Sequence, residues 1–374
     1  MILEDKTMQN ILIIFLSILI LGSCSHFTPD QKQKMELINV WNLDVFKQQQ
    51  FGSKRHEAAS PLIIGNDLFQ GGSDGNLYVV NKYNGSIKRI IKGSGGIDAT
   101  PLFSQGVLYF GNNDGEIKAF SYRSGDYLWS YFVGFPVAST PAVYDGRLFV
   151  LASNDILYSF DALTGKILWT VKRDFPVKRP VIKGNSSPVI YDNTVYVGFS
   201  DGAFMGVNIL NGSVVLEKNL NTKGKFKDVD ATPYIDEKYI VVPSYDGNLY
   251  CMDRKTGNVI WSMQDGSAKS VTVINDVVYY SSNEGFLYVL DLNTGVVKWS
   301  TRLKNGSIPT SPAIFDDYLV VGSSERGLVI YNKENGRFIQ EFNTGTGVFA
   351  DPIVDDKYIY FYSNYGVLYA LYKL

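Results

Sequence analysis

The sequence predicts an all-β protein: an eight-bladed β-propeller of four-stranded antiparallel blades, with the last blade closed by a strand from the N-terminus. Three observations carry this expectation. A Ser/Thr-Pro pair recurs about every forty residues, each unit between pairs has the same order of apolar stretches and tight turns, and the final unit stops one strand short.

The pairs are Ser60-Pro61, Thr100-Pro101, Thr140-Pro141, Ser187-Pro188, Thr232-Pro233 and Ser311-Pro312. Asp351-Pro352 is a variant, and Ser270-Val271 fills the remaining slot without its proline. The second residues fall at 61, 101, 141, 188, 233, 271, 312 and 352, so successive intervals are 40, 40, 47, 45, 38, 41 and 40 residues. Within a unit an apolar stretch such as Pro141-Ala142-Val143 leads to a polar turn, Tyr144-Asp145-Gly146. A Val/Leu/Tyr-rich strand follows, then a second turn that often reads Asp-Gly, as at Asp74-Gly75, Asp114-Gly115, Asp201-Gly202 and Asp246-Gly247. The third strand ends in Asp/Asn-x-x-Thr/Asn-Gly. Examples are Asp161 to Gly165, Asp253 to Gly257 and Asp291 to Gly295, with Ser121 to Gly125 a weaker copy. In such a turn the glycine supplies a positive φ, and the leading Asp or Asn accepts backbone N–H groups. Four short strands joined by hairpins form one twisted sheet, and eight such sheets set radially form a propeller. A proline suits the start of a strand, where no ladder donor is lost.

Four of the five tryptophans, Trp129, Trp169, Trp261 and Trp299, stand four residues after the turn glycine. That spacing predicts a place on the outermost strand of each blade, where a large ring covers the gap to the next blade. Sugar stacking is the functional alternative. The last unit ends at Leu374 after three strands, while Trp41 lies in an orphan strand, Leu37 to Leu43. This strand is expected to complete the last blade and so remove an open edge.

The N-terminus reads as an address. Ile11 to Leu21 is apolar apart from Ser17, which is too short to span a bilayer at about 20 residues but fits a signal-peptide core. It runs into Leu21-Gly22-Ser23-Cys24, which resembles the bacterial lipobox. The resemblance implies a signal peptide over 1–23 and a thiol acylated at Cys24. A polar tether over 24–34 then leads to the propeller over 35–374, and Ser25 suggests the outer membrane, on its periplasmic face. The stretch before the run carries Glu4 and Asp5 beside Lys6, a departure from the usual basic start. An ordinary cleaved signal or a short anchor is the alternative.

The turn followed by tryptophan, as in Asp291 to Trp299, resembles the repeat of pyrroloquinoline-quinone enzymes. Those enzymes carry a vicinal disulfide that this chain lacks, since its two cysteines are Cys24 and Cys251. A lipobox followed by eight such repeats resembles the BamB family, the propeller lipoproteins of the outer-membrane β-barrel assembly machinery. Ile182-Lys183-Gly184-Asn185-Ser186-Ser187-Pro188 is similar to that family's Leu-Arg-Gly-Glu-Ser-Ala-Pro segment. Asp228-Val229-Asp230-Ala231-Thr232-Pro233 is similar to its Asp-Val-Asp-Thr-Thr-Pro segment. The resemblance implies a partner site of Ile182, Lys183, Asp228 and Asp230 that docks the central assembly subunit, BamA. Lys183 stands where the family has arginine, which loses a bidentate fork, and Pro180 stands where it has leucine.

Both segments fall in the two longest intervals, among Lys172, Arg173, Lys178, Arg179, Lys183, Lys223, Lys225 and Lys227. On a chain of net charge −2 such a local basic cluster can steer an acidic partner, although any one lysine can equally be solvated loop. Asp228 and Asp230 can equally be turn residues. His26 and His56 are the only histidines, both before the first unit and neither in metal-ligand spacing, and no Ser-His-Asp set can be built inside the repeats. Cys251 reads as a small buried apolar residue. No enzyme activity, cofactor, nucleic acid or small-molecule substrate is expected. The leading function is a non-catalytic scaffold in outer-membrane protein assembly. The alternatives are a periplasmic quinone-cofactor-dependent dehydrogenase and a glycan-binding propeller, for which Tyr245 and Phe204 are the aromatics to place.

Overall fold

The computed structural model describes residues 37–45, 58–173, 186–220 and 225–374. They form eight four-stranded antiparallel sheets arranged as an eight-bladed β-propeller. Seven blades are built from consecutive strands. The eighth takes Leu37–Asp44 as its outer strand, antiparallel to Val367–Lys373, with Trp41 opposite Ala370. The orphan N-terminal strand therefore closes the ring, as its sequence position predicts.

Blade 3 shows why the repeat folds this way. Its strands are Ala142–Tyr144, Arg147–Ala152, Ile156–Asp161 and Ile167–Lys172. Each proline of the Ser/Thr-Pro pair stands one residue ahead of its inner strand, so no ladder bond is lost. The Asp161 carboxylate accepts the N–H groups of Leu163 and Thr164 at 3.1 and 2.8 Å and the Thr164 hydroxyl at 2.7 Å. These bonds hold the Asp161 carboxyl below the usual carboxylate range, the Thr164 hydroxyl contributing most. Gly165 completes the turn at φ 71°, a region costly for any residue with a Cβ. Between the third and fourth strands a bulge at Ser159/Phe160 shifts the register, and Trp169 pairs with Ser159. The same irregularity recurs in blades 1 to 7. A bulge re-aims the side chains around it.

Re-aimed in this way, each tryptophan reaches the next blade. Trp129 Nε1 donates to the Ala162 carbonyl, Trp169 to Ile209, Trp261 to Leu292, Trp299 to Lys333 and Trp41 to Lys82, all at 2.7–3.0 Å. Each ring lies flat against the turn glycine of that next blade: Gly165, Gly212, Gly295, Gly336 and Gly85 respectively. The turn glycine thus serves twice, for its φ and for the space a ring needs. The other three interfaces use other means, with Gln340 at the tryptophan position of blade 7. Arg89 stands at the tryptophan position of blade 1, with its guanidinium beside Gly125 and 3.5 Å from the Tyr122 carbonyl. Leu216 takes that place in blade 4, against Gly257.

Near the axis the Ser/Thr position forms a second belt. The Thr140 N–H donates to Ser187 Oγ at 3.0 Å, Thr232 to Ser270 at 3.1 Å and Ser270 to Ser311 at 3.1 Å. Ser311 N–H then donates to the Asp351 carboxylate at 2.8 Å, and Asp351 N–H to Ser60 Oγ at 2.9 Å, which joins the last blade to the first. At Ser60, Ser187, Ser270, Ser311 and Asp351 the position thus offers a side-chain acceptor to the preceding blade, while the Thr100 hydroxyl donates to the Ser60 carbonyl at 3.2 Å. Between the two belts the middle strands are buried on both faces. Tyr109, Ile117 and Ala119 of blade 2, for example, pack with Leu148, Val150 and Phe160 of blade 3.

Candidate functional site

Asp228-Val229-Asp230 lies in the span that leads into the inner strand of blade 5, Tyr234–Ile235. Its backbone does a repeated structural job. Val229 N–H donates to the Phe199 carbonyl at 3.1 Å, and the Asp228 carbonyl accepts from Tyr245 N–H at 2.9 Å. The same two bonds are made by Gly96-Ile97, Pro136-Val137, Gly266-Ser267 and Gly347-Val348 in other blades. The place of Asp228 therefore holds Gly or Pro in those four units. The place of Asp230 holds Asp98, Ala138, Ala268 and Phe349. Nothing in this backbone pattern requires a carboxylate at the place of Asp228.

Both side chains are buried, Asp228 at 0% and Asp230 at 8% relative exposure. Asp230 Oδ2 has no hydrogen-bond partner among the described residues. Burial pushes the Asp230 carboxyl well above the usual range, and the charges of Asp228 and Asp155 push it further. Asp155 comes from blade 3, where its carboxylate accepts the Ser200 N–H at 3.0 Å and also the Ser200 hydroxyl. Its own carboxyl is raised, by burial first and also by the neighbouring charge of Asp201. Arg173 is the nearby cation. Its guanidinium grips Asp201 through Nε at 3.1 Å and Nη2 at 2.6 Å, and Glu217 at 2.6 Å. Ser186 Oγ donates to the Ala231 carbonyl at 3.1 Å, which ties the end of one long span to the other. Five carboxylates, Asp155, Asp201, Glu217, Asp228 and Asp230, and one arginine thus meet where blades 3, 4 and 5 adjoin. An aromatic pair flanks them: Phe226 meets Tyr245 edge-on at 6.0 Å, with Lys225 Nζ 5.1 Å from the Phe226 ring centre.

Several sequence expectations are refined here. Arg173, read from sequence as part of a loose basic cluster, is instead turned inward onto Asp201 and Glu217. The roles of Asp155 and Ser200 carry no sequence signal of their own, because both sit in ordinary-looking turns. Phe204 is fully buried against Tyr196 and cannot line a funnel, whereas Tyr245 borders the acidic site. The tryptophans spend their N–H groups and ring faces on neighbouring blades, which leaves sugar stacking without its platform. Cys251 is buried, and burial pushes its thiol up to about 12. Cys24, His26, His56, Lys178, Arg179, Pro180, Ile182, Lys183 and Lys223 lie outside the described residues. Among the described residues no group of His, Cys, Asp or Glu is arranged to hold a metal ion.

Comparison with known proteins agrees with this geometry. The chain is 26% identical over 363 residues to outer membrane protein assembly factor BamB of Yersinia pestis, covering 92% of this chain and 81% of that one. The crystal structure of BamB from Moraxella catarrhalis superposes with a TM-score of 0.77 at 21% identity, covering 90% of this chain and all of the other. The quinohemoprotein alcohol dehydrogenase of Comamonas testosteroni reaches a TM-score of 0.75 at 13% identity over 90% of this chain and 76% of its own, a likeness of fold alone. The family model described as outer membrane protein assembly factor BamB matches residues 40–301, well over half of the sequence, and the chain belongs to that family.

Proposed function

We propose that this chain is a non-catalytic scaffold in outer-membrane protein assembly. In this reading residues 1–23 are removed as a signal peptide and Cys24 carries the lipid that holds the protein at the periplasmic face of the outer membrane. Residues 24–34 form the tether. The propeller then docks the periplasmic part of a BamA-like subunit through Ile182, Lys183, Asp228 and Asp230. One observation supports the docking site: a buried acid, Asp228, stands where four other blades place Gly or Pro, beside a second buried acid, Asp230, whose carboxyl is held at an electrostatic cost. A protein retains such a cost where a partner uses it.

The test combines Lys183→Glu with Asp228→Ala and measures capture by the partner's soluble domain, with circular dichroism and melting as controls for the fold. Truncating one member of a desolvated charge pair costs about 2–5 kcal/mol of binding, so capture should fall at least tenfold while the fold persists. Undiminished capture by the folded variant removes this face as the docking site.

A further inference from the structure

An asparagine followed by glycine is the one most readily lost by cyclisation, because no Cβ hinders the glycine nitrogen as it attacks the side-chain amide. The chain has four such pairs: Asn84-Gly85, Asn211-Gly212, Asn305-Gly306 and Asn335-Gly336. Three lie at the same place in the turn between the third and fourth strands of blades 1, 4 and 7, and the fold locks them alike. The Gly85, Gly212 and Gly336 N–H groups donate to the Asn81, Asn208 and Asn332 carbonyls at 2.9, 3.0 and 3.0 Å. The amide oxygens of Asn84, Asn211 and Asn335 accept the N–H groups of Ser86, Ser213 and Arg337, each at 3.0 Å. Trp41, Trp169 and Trp299 cover the three glycines. Turning such a nitrogen onto the side-chain carbon breaks these bonds and displaces the ring, so the three sites react only through a local opening.

Asn305-Gly306 has none of these restraints. It lies in the span between the outer strand of blade 6, Val297–Arg302, and the inner strand of blade 7, Ala313–Phe315. Both residues are exposed, and the Asn305 side chain makes no hydrogen bond with the described residues. The backbone is a single 3₁₀ turn, Lys304–Gly306, with Asn305 left-handed at φ 61° and a bond from the Ser307 N–H to the Lys304 carbonyl at 3.3 Å. A Cβ on Gly306 would meet nothing within 4 Å, so no ring covers this glycine.

We infer that Asn305 is a self-modification site, at which the folded protein converts an asparagine into a carboxylate with water as the only co-reactant. The Gly306 nitrogen gives its proton to a solvent base and bonds to Cγ of Asn305. The Cγ–Nδ2 bond breaks, and Nδ2 takes up a proton and leaves as ammonia, which closes a succinimide. Water then opens the ring at Cγ to give isoaspartate's counterpart with the ordinary main chain, aspartate, or at the main-chain carbonyl carbon. Opening at the carbonyl carbon leaves Gly306 bonded to Cγ only after the main chain has been rerouted through the side chain, which is isoaspartate. Either product makes the chain one unit more negative than its −2, next to Lys304. The span is of the same kind as the one that carries Asp228 and Asp230, from an outer strand to the next inner strand, so the new charge appears on the face of the acidic site. The inference stands apart from the scaffold reading, since this chemistry needs no partner.

The test holds the full-length folded chain at mildly alkaline pH, digests samples with trypsin at intervals and reads the peptides by mass spectrometry. Electron-transfer fragmentation distinguishes isoaspartate from aspartate. The peptide that begins at Asn305 should gain the mass of the amide-to-acid exchange at least tenfold faster than those carrying Asn84, Asn211 and Asn335. In urea all four should react at comparable rates, since each asparagine then faces a glycine in an open chain. Gly306→Ala, which sets a Cβ beside the attacking nitrogen, should slow the loss at Asn305 at least tenfold and leave circular dichroism unchanged. Loss at Asn305 no faster than at the other three in the folded chain overturns the inference. So does a tenfold lead of Asn305 that survives in urea, because the sequence and not the fold then selects the site, or an unchanged rate in Gly306→Ala.

Discussion

Gly165 and Gly146 lie in the same blade at nearly the same backbone angle, φ 71° and 68°, yet their surroundings differ. A Cβ on Gly146 meets nothing within 4 Å, whereas a Cβ on Gly165 would sit 2.6 Å from two ring atoms of Trp129. Alanine at Gly146 should therefore cost only the left-handed backbone, about 1–2 kcal/mol. Alanine at Gly165 adds about 1–3 kcal/mol for displacing the ring and about 1 kcal/mol for the Trp129–Ala162 hydrogen bond, for a total of about 3–6 kcal/mol. For a propeller of this length a kcal/mol corresponds to roughly 1–2 °C in Tm. Thermal melts should then show a shift of about 1–3 °C for Gly146→Ala and about 4–9 °C for Gly165→Ala. In a Trp129→Ala background the wedge disappears, and Gly165→Ala should cost no more than Gly146→Ala. Equal shifts for the two glycines in the wild-type background would refute the idea that the blades are fastened ring-to-turn.

The remaining predictions concern charge and anchoring. Because burial raises the Asp230 carboxyl, the folded chain binds that proton more readily than the unfolded chain does. The wild type is therefore penalised above the raised value and relieved as pH falls, the penalty vanishing below the ordinary carboxylate range near about 3.9. Asp230→Asn should accordingly melt higher than wild type at pH 7 and no higher at about pH 3.5, and an advantage that persists at low pH would assign it to packing instead. Palmitate should label wild type and not Cys24→Ala, and the variant should leave the membrane fraction; an unlabelled wild type would sink the anchor.

The acidic site was only half legible in advance. Asp228 and Asp230 came to notice through a resemblance, and their sequence allowed a turn role as readily as a docking role. Once the hydrogen bonds of the repeat are aligned, Gly96, Pro136, Gly266 and Gly347 perform the backbone task of Asp228 without a carboxylate. Asp155 is invisible in sequence because its proximity to Asp230 arises from two blades meeting, 75 residues apart in the chain.

By itself, the sequence determined what depends on local periodicity. It set the eight units, the hairpin turns written by Asp161 and Gly165, the outer-strand tryptophans, and the closure of the ring by Leu37–Asp44. These follow from short-range rules, because a strand alternates its faces and a turn needs its glycine wherever the chain later goes. Tertiary structure alone decided what each of those faces meets. It seated Trp129 on Gly165, turned the Ser/Thr positions into a belt around the axis, bent Arg173 onto Asp201 and Glu217, and buried Asp228 and Asp230 beside Asp155. Each of these contacts joins residues from separate strands or blades, so it exists only once the blades have packed around a common axis.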